Sequence, residues 1–216
     1  MLLLLLWLPG CTNSRVPKDL MSAQLSRDVL FSKEVLYKSA HDPGYIVSMD
    51  GDTFWHHYRN GGLFAEEGAV LRLTYSDAEG TRLTSAGSGA WVPVTMSGSE
   101  NHPINQLCEA CLSGPYSGST AGIAGCYSDA VDRWEATMIR SLIILRDTQA
   151  PETWNAVKDM HEAWLTYKES RYAAGRVLSE SGGTVGAIEG AARAAAACEH
   201  HALFLESLVE QLTIVD

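Results

Sequence analysis

Apolar residues in the second half of the chain recur every three or four positions, the spacing of an α-helix that buries one face. The pattern predicts three helices, over about residues 130–147, 152–179 and 185–212. Pro151 suits the first turn of the second helix, and Ser181-Gly182-Gly183 ends it. Thr184 is a suitable N-cap for the third helix. Three long helices with short links predict an antiparallel three-helix bundle.

The first half of the chain has a different pattern of apolar and polar residues. Residues 16–38 carry apolar side chains at helical spacing and predict one or two helices. Runs typical of β-strands follow at residues 45–47, 69–75 and 91–96, separated by turn-forming residues. Residues 101–125 are rich in Gly, Ser and Pro and indicate a connector. The expected fold is therefore mainly α: a C-terminal bundle (residues 105–216) preceded by a small irregular α+β region (residues 17–100).

The N-terminal segment, residues 1–11, is similar to a bacterial lipoprotein signal. An apolar run from Leu2 leads into Leu8-Pro9-Gly10-Cys11, which is lipobox-like and makes Cys11 a candidate lipidation site. The basic start typical of export signals is absent, the run is short, and Pro9 is unusual at its position, so a chance apolar start is the alternative. We expect export to the periplasm or attachment to the outer membrane.

The charge of the chain argues against a nucleic-acid partner. The net charge is −10, with 26 acidic and 16 basic residues, and no basic stripe is present to neutralise phosphates. Residues 105–216 hold 15 of the acidic and 8 of the basic residues, a net of −7. This acidic half would attract a basic protein partner.

Four cysteines follow Cys11, namely Cys108, Cys111, Cys126 and Cys198. In an exported chain this even number indicates two disulfides, with three possible pairings. The Cys108-Glu-Ala-Cys111 spacing also occurs in redox motifs and in half of a zinc site, but its loop-like flanks favour disulfides.

The sequence contains no set of residues whose spacing predicts a catalytic or metal-binding site. His161 is alone in its predicted helix, and the adjacent pairs His56-His57 and His200-His201 cannot face one another on a helix. Asp129, Asp132 and Glu135 suit a solvated acidic helix face. Trp164 and Tyr167 at helical spacing predict core residues, with Lys168 extending to its edge. We therefore expect neither an enzyme nor a cofactor.

Taken in order, several of these residues resemble the signature of the LprI-like lysozyme-inhibitor family of exported bacterial proteins, over about residues 108–212. The signature residues, besides the cysteines, are Trp134, Glu135, Trp164, Tyr167, Lys168, Gly182, Gly183 and Thr184. The resemblance implies a helical domain that acts without chemistry, by binding a lysozyme-type muramidase and occluding its cleft. The alternative is a non-inhibitory envelope module, structural or ligand-binding, whose specificity lies in residues 17–100.

The chain departs from the family pattern at several positions. Tyr172 stands where the family has a Cys, and the other departures are Ile139, Leu142, His161, Leu203 and Glu206. If Tyr172 replaces the usual partner of Cys198, the resemblance implies that Cys108 or Cys111 bonds Cys126 and that the other bonds Cys198.

Overall fold

The structure, a computed structural model, describes residues 25–38, 45–48, 53–58, 68–85, 91–97 and 102–213. The described part before residue 98 contains six β-strands. They are β1 (Phe31–Lys38), β2 (Tyr45–Ser48), β3 (Thr53–Tyr58), β4 (Val70–Ser76), β5 (Gly80–Ser85) and β6 (Trp91–Ser97). All neighbouring strands are antiparallel and close into a barrel in the order β1-β2-β3-β6-β5-β4.

The helices predicted for residues 16–38 are wrong where the structure describes that segment. Residues 31–38 form β1, and residues 16–24 lie outside the described residues. In β1, Val35 is fully buried whereas Ser32 and Glu34 are exposed, the alternation of a strand with one face on a core. Pairing of β1 with both β2 and β4 supplies long-range hydrogen bonds that override the weak helical spacing.

The chain after the barrel is helical. Helix α1 covers Pro103–Ser113, a 3-10 turn covers Pro115–Gly118, α2 covers Thr120–Thr148, and α3 covers Pro151–Thr213. The predicted connector at residues 101–125 is therefore wrong, because α1 and the start of α2 occupy most of it. His102 caps α1, since its Nδ1 accepts from the Ile104 N–H (3.2 Å), and Ser119 caps α2.

Helix α3 consists of two arms, residues 151–182 and 184–213, which meet at a non-helical Gly183 (φ 61°, ψ −140°). This positive φ is one that glycine adopts without the strain a side chain would cause. The arms run antiparallel: the Gln149 side chain just before the first arm donates to the Leu212 carbonyl at the end of the second. Helix α2 and the two arms form the expected antiparallel three-helix bundle, with α1 packed on α2.

Residues of the barrel take part in the hydrophobic core of the bundle. Tyr75 of β4 is fully buried among bundle residues and lies within hydrogen-bonding distance of Thr137 of α2 (3.4 Å). Arg140 of α2 donates to the Asp77 carbonyl in the β4–β5 turn (2.9 Å). The Arg140 guanidinium also covers Gly80, where an added Cβ would lie 2.8 Å from it. We call these contacts of Arg140 with Asp77 and Gly80 the barrel–bundle joint, and a side chain at residue 80 would displace the Arg140 guanidinium from it.

None of the helices in the described ranges is both long and apolar enough to cross a bilayer.

Candidate functional site

The signature residues lie along the bundle. Trp134 is fully buried at the centre of the core, with its ring 4.4 Å from that of His102. Gly182 ends the first arm, Gly183 makes the reversal between the arms, and Thr184 begins the second arm at an exposed position. These residues therefore build the bundle.

The structure buries Lys168 and exposes Tyr167, the reverse of what the helical spacing predicts. Lys168 is only 5 % exposed and forms an ion pair with Glu135 of α2, whereas Tyr167 is 58 % exposed. The Lys168 ammonium lies 5.3 Å from the Trp164 ring centroid and 5.7 Å from that of Tyr172, within range of cation–π attraction. The prediction of Tyr167 as core, with Lys168 at its edge, is thus wrong.

A signal for the correct face is present in the sequence. The inward residues of the first arm, Val157, His161, Trp164 and Lys168, are spaced by four, three and four, as one helix face requires. Two of the four are polar, so a search for apolar positions alone does not find this face.

His161 is not alone, because the reversal at Gly183 brings it against the second arm. Its Nδ1 lies 2.9 Å from His201 Nε2, and the His201 ring stacks on Trp164 at 4.1 Å with an interplanar angle of 5°. Phe204 extends the group, 6.3 Å from His201. We call His161, Trp164, His201 and Phe204 the hairpin stack. Sequence reasoning missed it because the contact joins residues 40 positions apart.

Both histidines of the hairpin stack are buried and held neutral. Burial lowers the pKa of His161 from 6.5 to about 4, with a further contribution from the Lys168 charge. Burial likewise lowers the pKa of His201 to about 3, assisted by the neighbouring His161, His200 and Lys168. His102 behaves in the same way: burial first and Arg140 second lower its pKa to about 3.

These lowered pKa values predict a loss of stability in acid. Below pH 6.5 the unfolded chain binds protons on these histidines that the folded chain does not, so the free energy of unfolding falls as the pH falls towards 4. Each histidine contributes a slope of about 1 kcal/mol per pH unit. Urea unfolding at pH 7, 6 and 5 measures this slope.

The matched variants for this prediction are His161→Leu/His201→Leu and His200→Leu. Of the three histidines described above as buried, the double variant keeps only His102 and should lose about two thirds of the slope that these three contribute. His200 is exposed, and its replacement should change the slope far less than the double variant does. An equal slope in the double variant and the wild type would contradict the assignment.

The cysteines form one disulfide within the described residues, between Cys111 and Cys126. The implied second bond, Cys108 with Cys198, is absent from this structure: both residues are buried thiols. The Tyr172 hydroxyl contacts the Cys198 sulfur at 3.7 Å, so tyrosine packs where the resemblance implies a bonding partner. Cys11 lies outside the described residues.

Glu206, another departure from the family pattern, takes part in the barrel–bundle joint. Its carboxylate accepts from Arg140 at 2.9 Å, and its second oxygen lies 4.0 Å from His102 Nε2. Of the remaining departures, Leu142 is buried, and Ile139 and Leu203 pack against the core at its margin. The departures therefore supply local packing and polar contacts, and none of them disrupts the helices.

The outer surface of the α3 arms carries exposed apolar side chains. Tyr167 follows Trp164 by one turn on the first arm, and Phe204, 43 % exposed, follows His201 by one turn on the second. Val177 and Val185 are exposed on either side of the reversal. We call these four residues the exposed hairpin face. Contiguous exposed apolar patches mark binding sites, whereas single exposed apolar side chains are common on any folded domain.

Acidic residues lie on the neighbouring α2. Asp129 and Asp132 are exposed, whereas Glu135 points to Lys168. Desolvation of the Asp132 carboxyl group by neighbouring side chains raises its pKa, and the nearby Glu135 and Asp129 charges add to the effect. Within the described residues, no three His, Cys, Asp or Glu side chains are arranged to hold a metal ion.

The described residues thus form a helical bundle joined to a small β-barrel. Residues 111–205 match the family model described as "Lysozyme inhibitor LprI". This match confirms the resemblance drawn from the sequence for residues 111–205, in the C-terminal half of the chain. No curated protein and no solved structure matches the chain.

Proposed function

We propose that this protein is exported and that its LprI domain inhibits a lysozyme-type muramidase by binding and covering its cleft. The observation that carries the proposal is the family match over residues 111–205, which coincides with the bundle bearing the exposed hairpin face. An inhibitor of this kind would act by association, and in this proposal the exposed hairpin face supplies the contact surface.

The electrostatics of the bundle support a basic target. Residues 105–216 carry a net charge of −7. Lysozymes are typically basic, so encounter would be accelerated at low ionic strength. In this proposal the exposed hairpin face provides the apolar contacts, and the acidic surface provides the steering.

Export and lipidation at Cys11 belong to the same proposal. The Cys111–Cys126 disulfide supports export, because disulfides persist in oxidising compartments and are rare in the reducing cytosol. In a cell that processes the lipobox-like segment, mass spectrometry of the mature protein would find a diacylated Cys11. An unmodified N-terminus upstream of Cys11 would refute lipidation.

Inhibition is tested by following lysozyme hydrolysis of peptidoglycan with the purified, oxidised protein at 20 and 150 mM salt. We expect dose-dependent inhibition that weakens at the higher salt concentration, since screening reduces steering between opposite charges. No inhibition at a large molar excess would refute the proposal.

A second candidate function rests on the barrel. Its described strands span residues 31–97, and the family match begins only at residue 111. The barrel therefore lies outside the part assigned to inhibition, and a non-inhibitory envelope module that binds a ligand through the barrel is the alternative. Removing the barrel would be a poor test, because Tyr75 of the barrel belongs to the core of the bundle. If the full chain does not inhibit lysozyme in the peptidoglycan assay, this result would favour the alternative.

A further inference from the structure

Two cysteines lie one helical turn apart on α1, facing the same residue of α2. Cys111 is bonded to Cys126, whereas Cys108, three positions earlier, keeps its thiol. The Cys108 sulfur donates to the backbone carbonyl of Cys126 at 3.7 Å. Residues three apart lie on the same face of a helix, so both α1 cysteines are placed to reach Cys126.

We propose that Cys108 exchanges with the Cys111–Cys126 disulfide, giving the protein two interconverting oxidised forms. In the step, the Cys108 thiolate attacks the Cys126 sulfur and forms the Cys108–Cys126 bond. The Cys111–Cys126 bond breaks, and its electron pair leaves on the Cys111 sulfur, which takes a proton from water. One disulfide and one thiol are present before and after, so no external oxidant or reductant is consumed.

The surroundings of Cys108 slow the disulfide exchange at neutral pH. The residue is only 8 % exposed, and this burial raises the pKa of its thiol. Charged groups face it from every packed helix: Glu109 on α1, Asp129 and Arg133 on α2, and Glu199 on α3, of which only Arg133 favours the thiolate. Because the thiolate is the nucleophile, exchange accelerates as the pH rises.

The two forms would differ in the position of α1. Moving the bond by three residues corresponds to a shift of about 4.5 Å along a helix axis. In the described form, α1 is fixed to the second arm by Asn105, which donates to Glu199 at 2.6 Å, and its N-cap His102 packs on Trp134. Exchange would therefore strain or release the barrel–bundle joint, independently of any lysozyme binding.

The exchange is measured by incubating the oxidised full chain with excess N-ethylmaleimide and no reductant at pH 7, 8 and 9. Peptide mapping then locates the label. Cys111 is half-buried, and once released it is trapped by the reagent. We expect label on Cys111 together with a Cys108–Cys126 disulfide, at a rate rising about tenfold per pH unit while the pH lies below the thiol pKa. Label on Cys108 with the Cys111–Cys126 bond intact, or no label on either residue, would overturn the proposal.

Two variants isolate the step. Cys108→Ser removes the attacking thiol, so the labelling of Cys111 should disappear; persistence of that labelling would overturn the proposal. Cys111→Ser, refolded with oxidised glutathione, should contain a Cys108–Cys126 bond. Finding Cys126 as a thiol, or bonded to Cys198, would also overturn it.

Discussion

Replacing Lys168 by Met is expected to lower the free energy of unfolding by about 3 kcal/mol. Lys168 is 5 % exposed and Glu135, its ion-pair partner across the α2–α3 contact, has a side chain that is 20 % exposed. Methionine keeps the aliphatic stem but leaves the Glu135 carboxylate without this cation in a site with little water. It also removes the charge that lies over the Trp164 and Tyr172 rings. Urea unfolding followed by circular dichroism measures the loss.

The chain offers a matched control for this prediction on the same arm. Lys158 pairs with Glu162 at 3.4 Å, but about half of each side chain is exposed (45 % and 53 %). Lys158→Met should therefore cost less than about 0.5 kcal/mol. The double variant Lys168→Met/Glu135→Leu removes both charges and should recover most of the stability. If Lys168→Met cost no more than Lys158→Met, the ion pair would not stabilise the bundle.

The three long helices of the bundle could be predicted because each depends mainly on local sequence. The apolar spacing, Pro151 and the Gly182-Gly183 break are short-range signals, and α3 begins at Pro151 and reverses at Gly183 as they indicate. The barrel depends on pairings between distant strands, such as β1 with β4. Residues 80–85 have Leu83 as their only large apolar side chain, so β5 gives no strand signal until β4 and β6 flank it.

The candidate site was harder to predict than the helices, because its contacts join residues that are distant in sequence. The sequence predicts Trp164, Tyr167 and Lys168 on one helix face. Tyr167 and Lys168 are adjacent, however, and adjacent helix positions point about 100° apart. The apolar pattern alone does not distinguish Tyr167 from Lys168, and the inward position of Lys168 depends on its ion pair with Glu135 of α2. The His161–His201 contact likewise exists only after the chain reverses, and the polar side chains inside the bundle are stabilised by partners on other helices.

Replacing both Tyr167 and Phe204 by Ala is expected to weaken lysozyme inhibition at least 100-fold. These are the large aromatic side chains of the exposed hairpin face, 58 % and 43 % exposed. An aromatic residue at the centre of an interface contributes about 2 kcal/mol or more to binding. Two such losses exceed the roughly 2.8 kcal/mol that corresponds to 100-fold in affinity. The measurement is the inhibition constant against peptidoglycan hydrolysis.

The matched control is Val70→Ala, which removes an apolar side chain of similar exposure (40 %) from β4 of the barrel. It should leave inhibition unchanged if the muramidase docks on the bundle. Tyr167→Phe keeps the ring and should retain most of the affinity, since the argument assigns the energy to buried aromatic area. If the double variant inhibits as well as the wild type while Val70→Ala does not, the contact surface lies on the barrel. The exposed side chains of α3 would then have no part in inhibition.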